Sequence, residues 1–155
     1  MAADRTHVRF GVFDFGPDAA AVTAALGLEP SHAWGVGDPL PNRPGGRRQD
    51  ARWEIVSPLP NSAPLEDQID ALLDRLEAHR EAVARAREQF AAGILCAVYT
   101  EHHNPGLHLT EAALSRIAAL GLSFDFDLYC LGSEQPTPAP GAADTGHSPR
   151  AAPRP

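Results

Sequence analysis

The chain predicts an α+β fold: a sheet of four to five strands with helices packed on one face. Three observations carry this expectation. Val8, Phe10 and Val12 alternate with His7, Arg9 and Gly11, the period-two pattern of a half-buried strand. Leu65, Ile69, Leu72, Leu73, Leu76, Val83 and Phe90 recur at helical spacing. Between residues 94 and 99 the chain is apolar on both alternating faces, as a central strand requires.

The elements follow in order. Residues 6–14 form the first strand. Pro17 suits the first turn of a helix over 19–26, and Gly27 ends it by adopting a left-handed cap. Residues 29–50 read as a long loop rich in Pro, Gly and Arg. Residues 52–56 make a second strand, with Trp53 and Ile55 on one face, and Pro58 and Pro60 stop it. The helix that opens at Pro64 carries Glu66 and Asp67 in its first turn, where the helix dipole favours acids. Its apolar pattern lapses between Leu76 and Val83, which allows a break or kink near His79; the alternative is one helix of about 26 residues, long for a globular domain. After the central strand, Asn104-Pro105 turns the chain and residues 106–109 are expected to add a short strand. Thr110 caps the last helix, and Leu109 and Leu114 occupy the two positions of a hydrophobic staple.

Gly121 delivers the chain into the run from Leu122 to Tyr129. Here Leu122, Phe124, Phe126 and Leu128 face one way, and Ser123, Asp125, Asp127 and Tyr129 the other. The two carboxylates stand about 7 Å apart on the polar face of this strand. Residues 24–28 and 118–122 are the same pentapeptide, and each ends a helix. Shared capping chemistry accounts for the repeat better than two related halves. Residues 1–132 are expected to form one domain. Residues 133–155, rich in Pro and Ala, lack apolar periodicity and are expected to be a disordered tail.

The 155 residues carry a formal net charge of −7, which argues against a general nucleic-acid binder. Every cation apart from histidine is arginine, a pattern that GC-rich coding explains. Cys96 and Cys130 sit in no metal-binding spacing and are expected to be buried free thiols. Neither a leader nor a membrane-spanning run is evident, so a soluble, cytoplasmic protein is expected.

Four groups are candidate sites. Trp34, Gly35, Gly37 and Asp38, with Arg52, Trp53 and Glu54, could form a loop that cradles an anion. The bland alternative is that Trp34 and Trp53 pack together and pin the loop over the sheet. His102, His103 and His108 with Asp125 and Asp127 offer metal-ligand chemistry, but adjacent strand residues point to opposite faces, and no metal site is expected. Asp125 and Asp127 could act as an acid/base pair if burial split their pKa values. They could instead be solvated or pair with an arginine such as Arg9 or Arg52. Arg43, Arg47, Arg48 and Arg52 could meet phosphate or an acidic partner, or simply solvate the loop.

The pattern as a whole resembles an uncharacterised bacterial family, the domain of unknown function 4279. The resemblance runs through residues 10–15, Leu26 to Pro30, Trp34, Gly37-Asp38, Trp53, the long-helix leucines, Leu120-Gly121 and Phe126 to Tyr129. It spans about residues 6–131 and implies a small α+β domain with no assigned activity or catalytic residues. His79 stands where the family pattern leads one to expect a helix-breaking proline. The resemblance also singles out Asp127, part of a recurring Asp-x-Tyr ending, over Asp125.

A two-layer arrangement similar to a ferredoxin-like sandwich is therefore expected. The leading functional expectation is a non-enzymatic protein-binding module of immunity or accessory type, with no cofactor. Its acidic surface would suit a basic protein partner. The alternative is a small-molecule-binding domain or enzyme whose pocket is lined by Trp34, Asp38, Trp53 and Asp127.

Overall fold

The alternation in the first strand decides which side of the sheet the helices cover. A computed structural model describes residues 4–102 and 106–131. In it β1 (Arg5–Phe13) leads to α1 (Ala19–Leu26), then β2 (His32–Trp34) and β3 (Arg52–Val56). Helices α2 (Leu65–Glu77) and α3 (Arg80–Gln89) follow, then β4 (Ala91–Thr100), α4 (Glu111–Ala119) and β5 (Ser123–Cys130). The strand order is β2-β3-β1-β4-β5. β1 is antiparallel to both of its neighbours, β2 is antiparallel to β3, and β4 and β5 are parallel. The architecture is the expected α+β class, a five-stranded open mixed sheet with four helices packed against it.

Register assigns the faces. Phe10 lies opposite both Ile55 and Ile94, so Val8, Phe10, Val12, Trp53, Ile55, Ile94, Cys96 and Val98 share one side. All of them are buried. Val22 and Leu26 of α1, Ile69, Leu72, Leu73 and Leu76 of α2, Val83 of α3 and Ile117 of α4 join the same cluster. The four helices therefore cover one face. The other face carries the odd-numbered residues of β1, β4 and β5, with Arg52, Glu54, His32 and Trp34.

Local chemistry explains the element ends. Asp18, one residue after Pro17, is the N-cap of α1, and its side chain accepts from the Ala21 N–H at 3.2 Å. Pro17 thus lies outside the helix, because a carboxylate satisfies an orphan N–H that proline could only tolerate. Gly27 and Gly121 both take left-handed φ values, 64° and 65°, so the repeated pentapeptide is shared capping chemistry. The chain leaving Gly27 forms antiparallel β2 and β3, whereas that leaving Gly121 forms a parallel strand, so the two segments are not equivalent halves. The break at His79 is present without a proline: its φ of −120° and ψ of 27° end α2 and start α3.

Three expectations are corrected. The loop over 29–50 contains β2, which pairs with β3 over three residues, and an isolated bridge between Pro39 and Arg47. Residues 106–109 form no strand; they lead directly to Thr110, which caps α4 by accepting from the Ala113 N–H. Cys96 is buried but Cys130 is exposed, because Cys96 lies on an inner strand and Cys130 at the exposed end of an edge strand. Burial pushes the Cys96 thiol up to about 12, so it stays neutral in the core. The tail, His103 and the Asn104-Pro105 turn lie outside the described residues.

One polar clamp ties two helices together. Arg116 of α4 grips Glu77 with two hydrogen bonds of 3.0 Å and also reaches Asp70 and Asp74, all on α2. Hydrogen bonding from Arg116 is the main influence that holds the Glu77 carboxyl below its ordinary value, with burial acting in the opposite sense. The folded chain therefore binds this proton less readily than the unfolded one. The clamp contributes fully above the ordinary carboxylate pKa and weakens as pH falls through the lowered one. Arg116→Ala should cost about 1–2 kcal/mol near neutral pH, discounted for the clamp's partial exposure. Urea unfolding should find that difference shrinking as the pH is lowered towards about 3.

Candidate functional site

The helix-free face of the sheet gathers most of the chemistry-bearing side chains. At its centre Glu54 of β3 is almost wholly buried, with a side-chain exposure of 5%. Arg9 Nε lies 3.1 Å from its carboxylate, close enough for ion pairing but without hydrogen-bond geometry. Arg52 donates to the same oxygen at 3.3 Å. Both arginines flank Glu54 because Arg9 stands on β1 and Arg52 is two residues away along β3. Gly11 leaves room on this face for the Phe13 ring and Leu95, which would stand 2.4 Å and 2.7 Å from any Cβ there.

At the β2 corner, two cations lie against the Trp34 ring. The Arg48 guanidinium carbon lies 4.1 Å from its ring centroid and that of Arg52 lies 5.6 Å away. Such pairs gain from the ring quadrupole. Among the described residues, the indole N–H of Trp34 and the Nε–H groups of Arg48 and Arg52 have no hydrogen-bond partner. The loop that brings Arg48 here is built by its own backbone. Asp38 accepts from the Gly35 N–H at 2.8 Å, and its carbonyl accepts from the Arg48 N–H at 2.8 Å. Arg47 donates to the Gly37 carbonyl at 3.1 Å. Gly35 is required by a close approach, since a Cβ there would sit 2.1 Å from the Pro17 carbonyl oxygen.

At the opposite corner a second aromatic group forms. Tyr99 of β4 and Tyr129 of β5 stack with centroids 4.7 Å apart. His7 meets Tyr99 edge-on at 5.6 Å, and the Arg5 guanidinium lies 6.0 Å from the Tyr99 centroid. Asp125 and Asp127 occupy the β5 margin beside this cluster, opposite Leu95 and Ala97 in register. Among the described residues neither is in an ion pair; Arg9 and Arg52 are engaged by Glu54 instead.

The structure separates the four residues expected to line one pocket. Trp34 and Asp127 lie on the helix-free side and Asp38 in the loop that follows Trp34, but Trp53 points the other way. Trp53 is completely buried under α1, donates to Thr23 Oγ1 at 2.9 Å and meets Phe10 edge-on. The two tryptophans therefore do not pack together, because their registered positions, Trp34 with Arg52 and Ala33 with Trp53, alternate across the sheet. Trp34 and Asp127 stand on opposite edge strands, about 19 Å apart across the sheet by four strand spacings and offset by six residues along it. The structure thus does not bring these residues together: Trp34 and Asp127 lie at opposite edges of one face and Trp53 lies under the other. Among the described residues no three His, Cys, Asp or Glu side chains converge on a metal-sized space. His102 is exposed just beyond β4.

Sequence reasoning missed Arg9, Glu54, Tyr99 and Tyr129 as neighbours on this face. The period-two alternation already placed Arg9 and Tyr129 on the polar sides of their strands; only strand order brought Arg9 to Glu54 and Tyr99 to Tyr129.

The fold and this face define a small two-layer α+β domain with a sheet surface that no described helix covers and that is rich in arginine and aromatic residues. The model of the family described as "Domain of unknown function (DUF4279)" matches residues 4–131. The chain belongs to that family. No curated protein and no solved structure matches it.

Proposed function

We propose that this chain is a non-enzymatic protein-binding module whose recognition surface is the helix-free face of the sheet. The observation that carries the reading is the composition of that face. It presents Trp34, Tyr99 and Tyr129 with Arg5, Arg9, Arg48 and Arg52. Tryptophan, tyrosine and arginine are the residues that dominate binding energy at protein interfaces. Their two clusters sit at diagonal corners, a spacing suited to a macromolecular surface. Asp125 and Asp127 add an acidic margin that complements a basic partner, as an immunity or accessory role would use.

The test is co-expression with the products of neighbouring genes, followed by affinity measurement on any complex recovered. The expected result is a stoichiometric complex that Trp34→Ala with Arg52→Ala weakens by about tenfold or more. If no neighbouring product binds, or the double variant binds as well as the parent, the reading is overturned.

A further inference from the structure

We propose that the outer edge of β5 is a docking site for an extended segment of a partner protein, one in which apolar and basic residues alternate. This rests on the module reading and names how part of the partner is held.

The sheet has two edges of very different kinds. β2 is three residues long and offers little to an added strand. β5 runs for eight residues with no proline and is the last strand in the order. Its hydrogen-bonding phase follows from one contact: the Leu131 N–H donates to the Thr100 carbonyl of β4 at 2.7 Å. Backbone groups of successive strand residues point to alternate sides. Ser123, Asp125, Asp127 and Tyr129 thus direct theirs to β4. Phe124, Phe126, Leu128 and Cys130 turn their N–H and C=O groups outward, where an extended segment could take them up.

The two faces beside this edge specify the segment's side chains. On the helix side lies an apolar groove of about 410 Å³, lined by Leu65, Leu107, Leu109, Leu114, Phe124 and Phe126. Leu107 and Leu114 are about half exposed, and Leu128, further along β5 on the same face as Phe124 and Phe126, is exposed as well. A strand added at β5 would send every second side chain towards this groove. Its alternate side chains would fall beside Asp125 and Asp127 on the other face, where arginine or lysine gains from acids that make no ion pair among the described residues.

The same acids oppose a second copy of this chain. In a two-fold antiparallel pairing of β5 with itself, centred on residues 125–127, the residues with inward-directed backbone groups face each other. Asp125 and Asp127 would then meet carboxylate to carboxylate in the narrow, non-hydrogen-bonded pairs. Charged edge residues of this kind are how sheets discourage self-association.

The experiment uses the full chain and synthetic peptides: five Val-Arg repeats, and a block peptide of the same composition with its valines and arginines segregated. The alternating peptide should bind at least about tenfold more tightly than the block peptide, because only alternation serves both faces. Binding should slow amide exchange at Phe124, Phe126 and Leu128 and leave β2 unchanged. Leu128→Pro removes an outward donor at a position where an edge strand tolerates proline, and Asp125→Asn with Asp127→Asn removes the charge; each should weaken binding about tenfold. Equal binding of the two peptides, protection elsewhere than β5, or full affinity in either variant would overturn the proposal. So would a dimer that Leu128→Pro dissolves. Failure here with a Trp34-dependent complex retained would remove the β5 site alone; loss of that complex would remove the module reading.

Discussion

Trp53→Ala should destabilise the domain by about 3–5 kcal/mol, whereas Trp34→Ala should cost less than about 1 kcal/mol. The two tryptophans differ by environment. Trp53 is wholly buried between β3 and α1, its ring against Phe10 and its indole N–H on Thr23. Truncation there leaves a cavity under α1 and deprives Thr23 of a donor, two losses that add. Trp34 is partly exposed and lies against two arginines, with its N–H unpaired among the described residues. Removing it forfeits cation–π contacts that are modest at a surface and relieves an unsatisfied donor. Urea denaturation of the two variants checks both. Trp53→Phe, which keeps most of the apolar volume, should recover more than half of the Trp53→Ala loss. Equal losses at the two sites would contradict the face assignment on which the proposed function stands.

Gly35→Ala should be nearly as costly, about 2–4 kcal/mol, or should displace the loop over 36–48. A Cβ at this position would stand 2.1 Å from the Pro17 carbonyl oxygen and 2.5 Å from its carbonyl carbon. Those are backbone atoms, which cannot rotate aside as a side chain could. The Val36 N–H donates to the Gly16 carbonyl at 3.1 Å, so the loop lies directly on the turn that follows β1. Moving it would lift Arg48 from Trp34 and open the β2 corner. Two outcomes are therefore distinguishable. Thermal unfolding would register the strain if the loop stays, and tryptophan fluorescence would register a changed Trp34 environment if it moves. By contrast Gly37→Ala lacks a steric neighbour but sits at a φ of 90°, so its cost should come from backbone strain alone.

Much of this fold was readable from local chemistry. The helix of residues 19–26 has the same bounds in the structure, since alanine spacing and a following glycine are properties of adjacent residues. The break at His79 was visible in the lapse of apolar spacing and needed no proline. β2 was hidden for the opposite reason. His32, Ala33 and Trp34 have no alternation long enough to signal a strand, and they are extended because β3 offers them a ladder. Cys130 was misjudged because an apolar run does not disclose that it ends at a sheet edge.

The candidate site divides the same way. From the sequence alone, alternation placed Asp125 and Asp127 on the polar side of the last strand, and Trp53 with Ile55 on one side of theirs. Those assignments follow from the period of a strand, which each residue shares with its immediate neighbours. The tertiary structure alone decided that Trp34 and Trp53 lie on opposite faces and that Glu54 takes both Arg9 and Arg52. It also decided that Asp127 lies on an edge strand, far from the tryptophan corner. The physical reason is that strand order is set by long-range pairing and by helix packing over the whole sheet. A face is a local property of a strand, but a neighbour is a property of the fold.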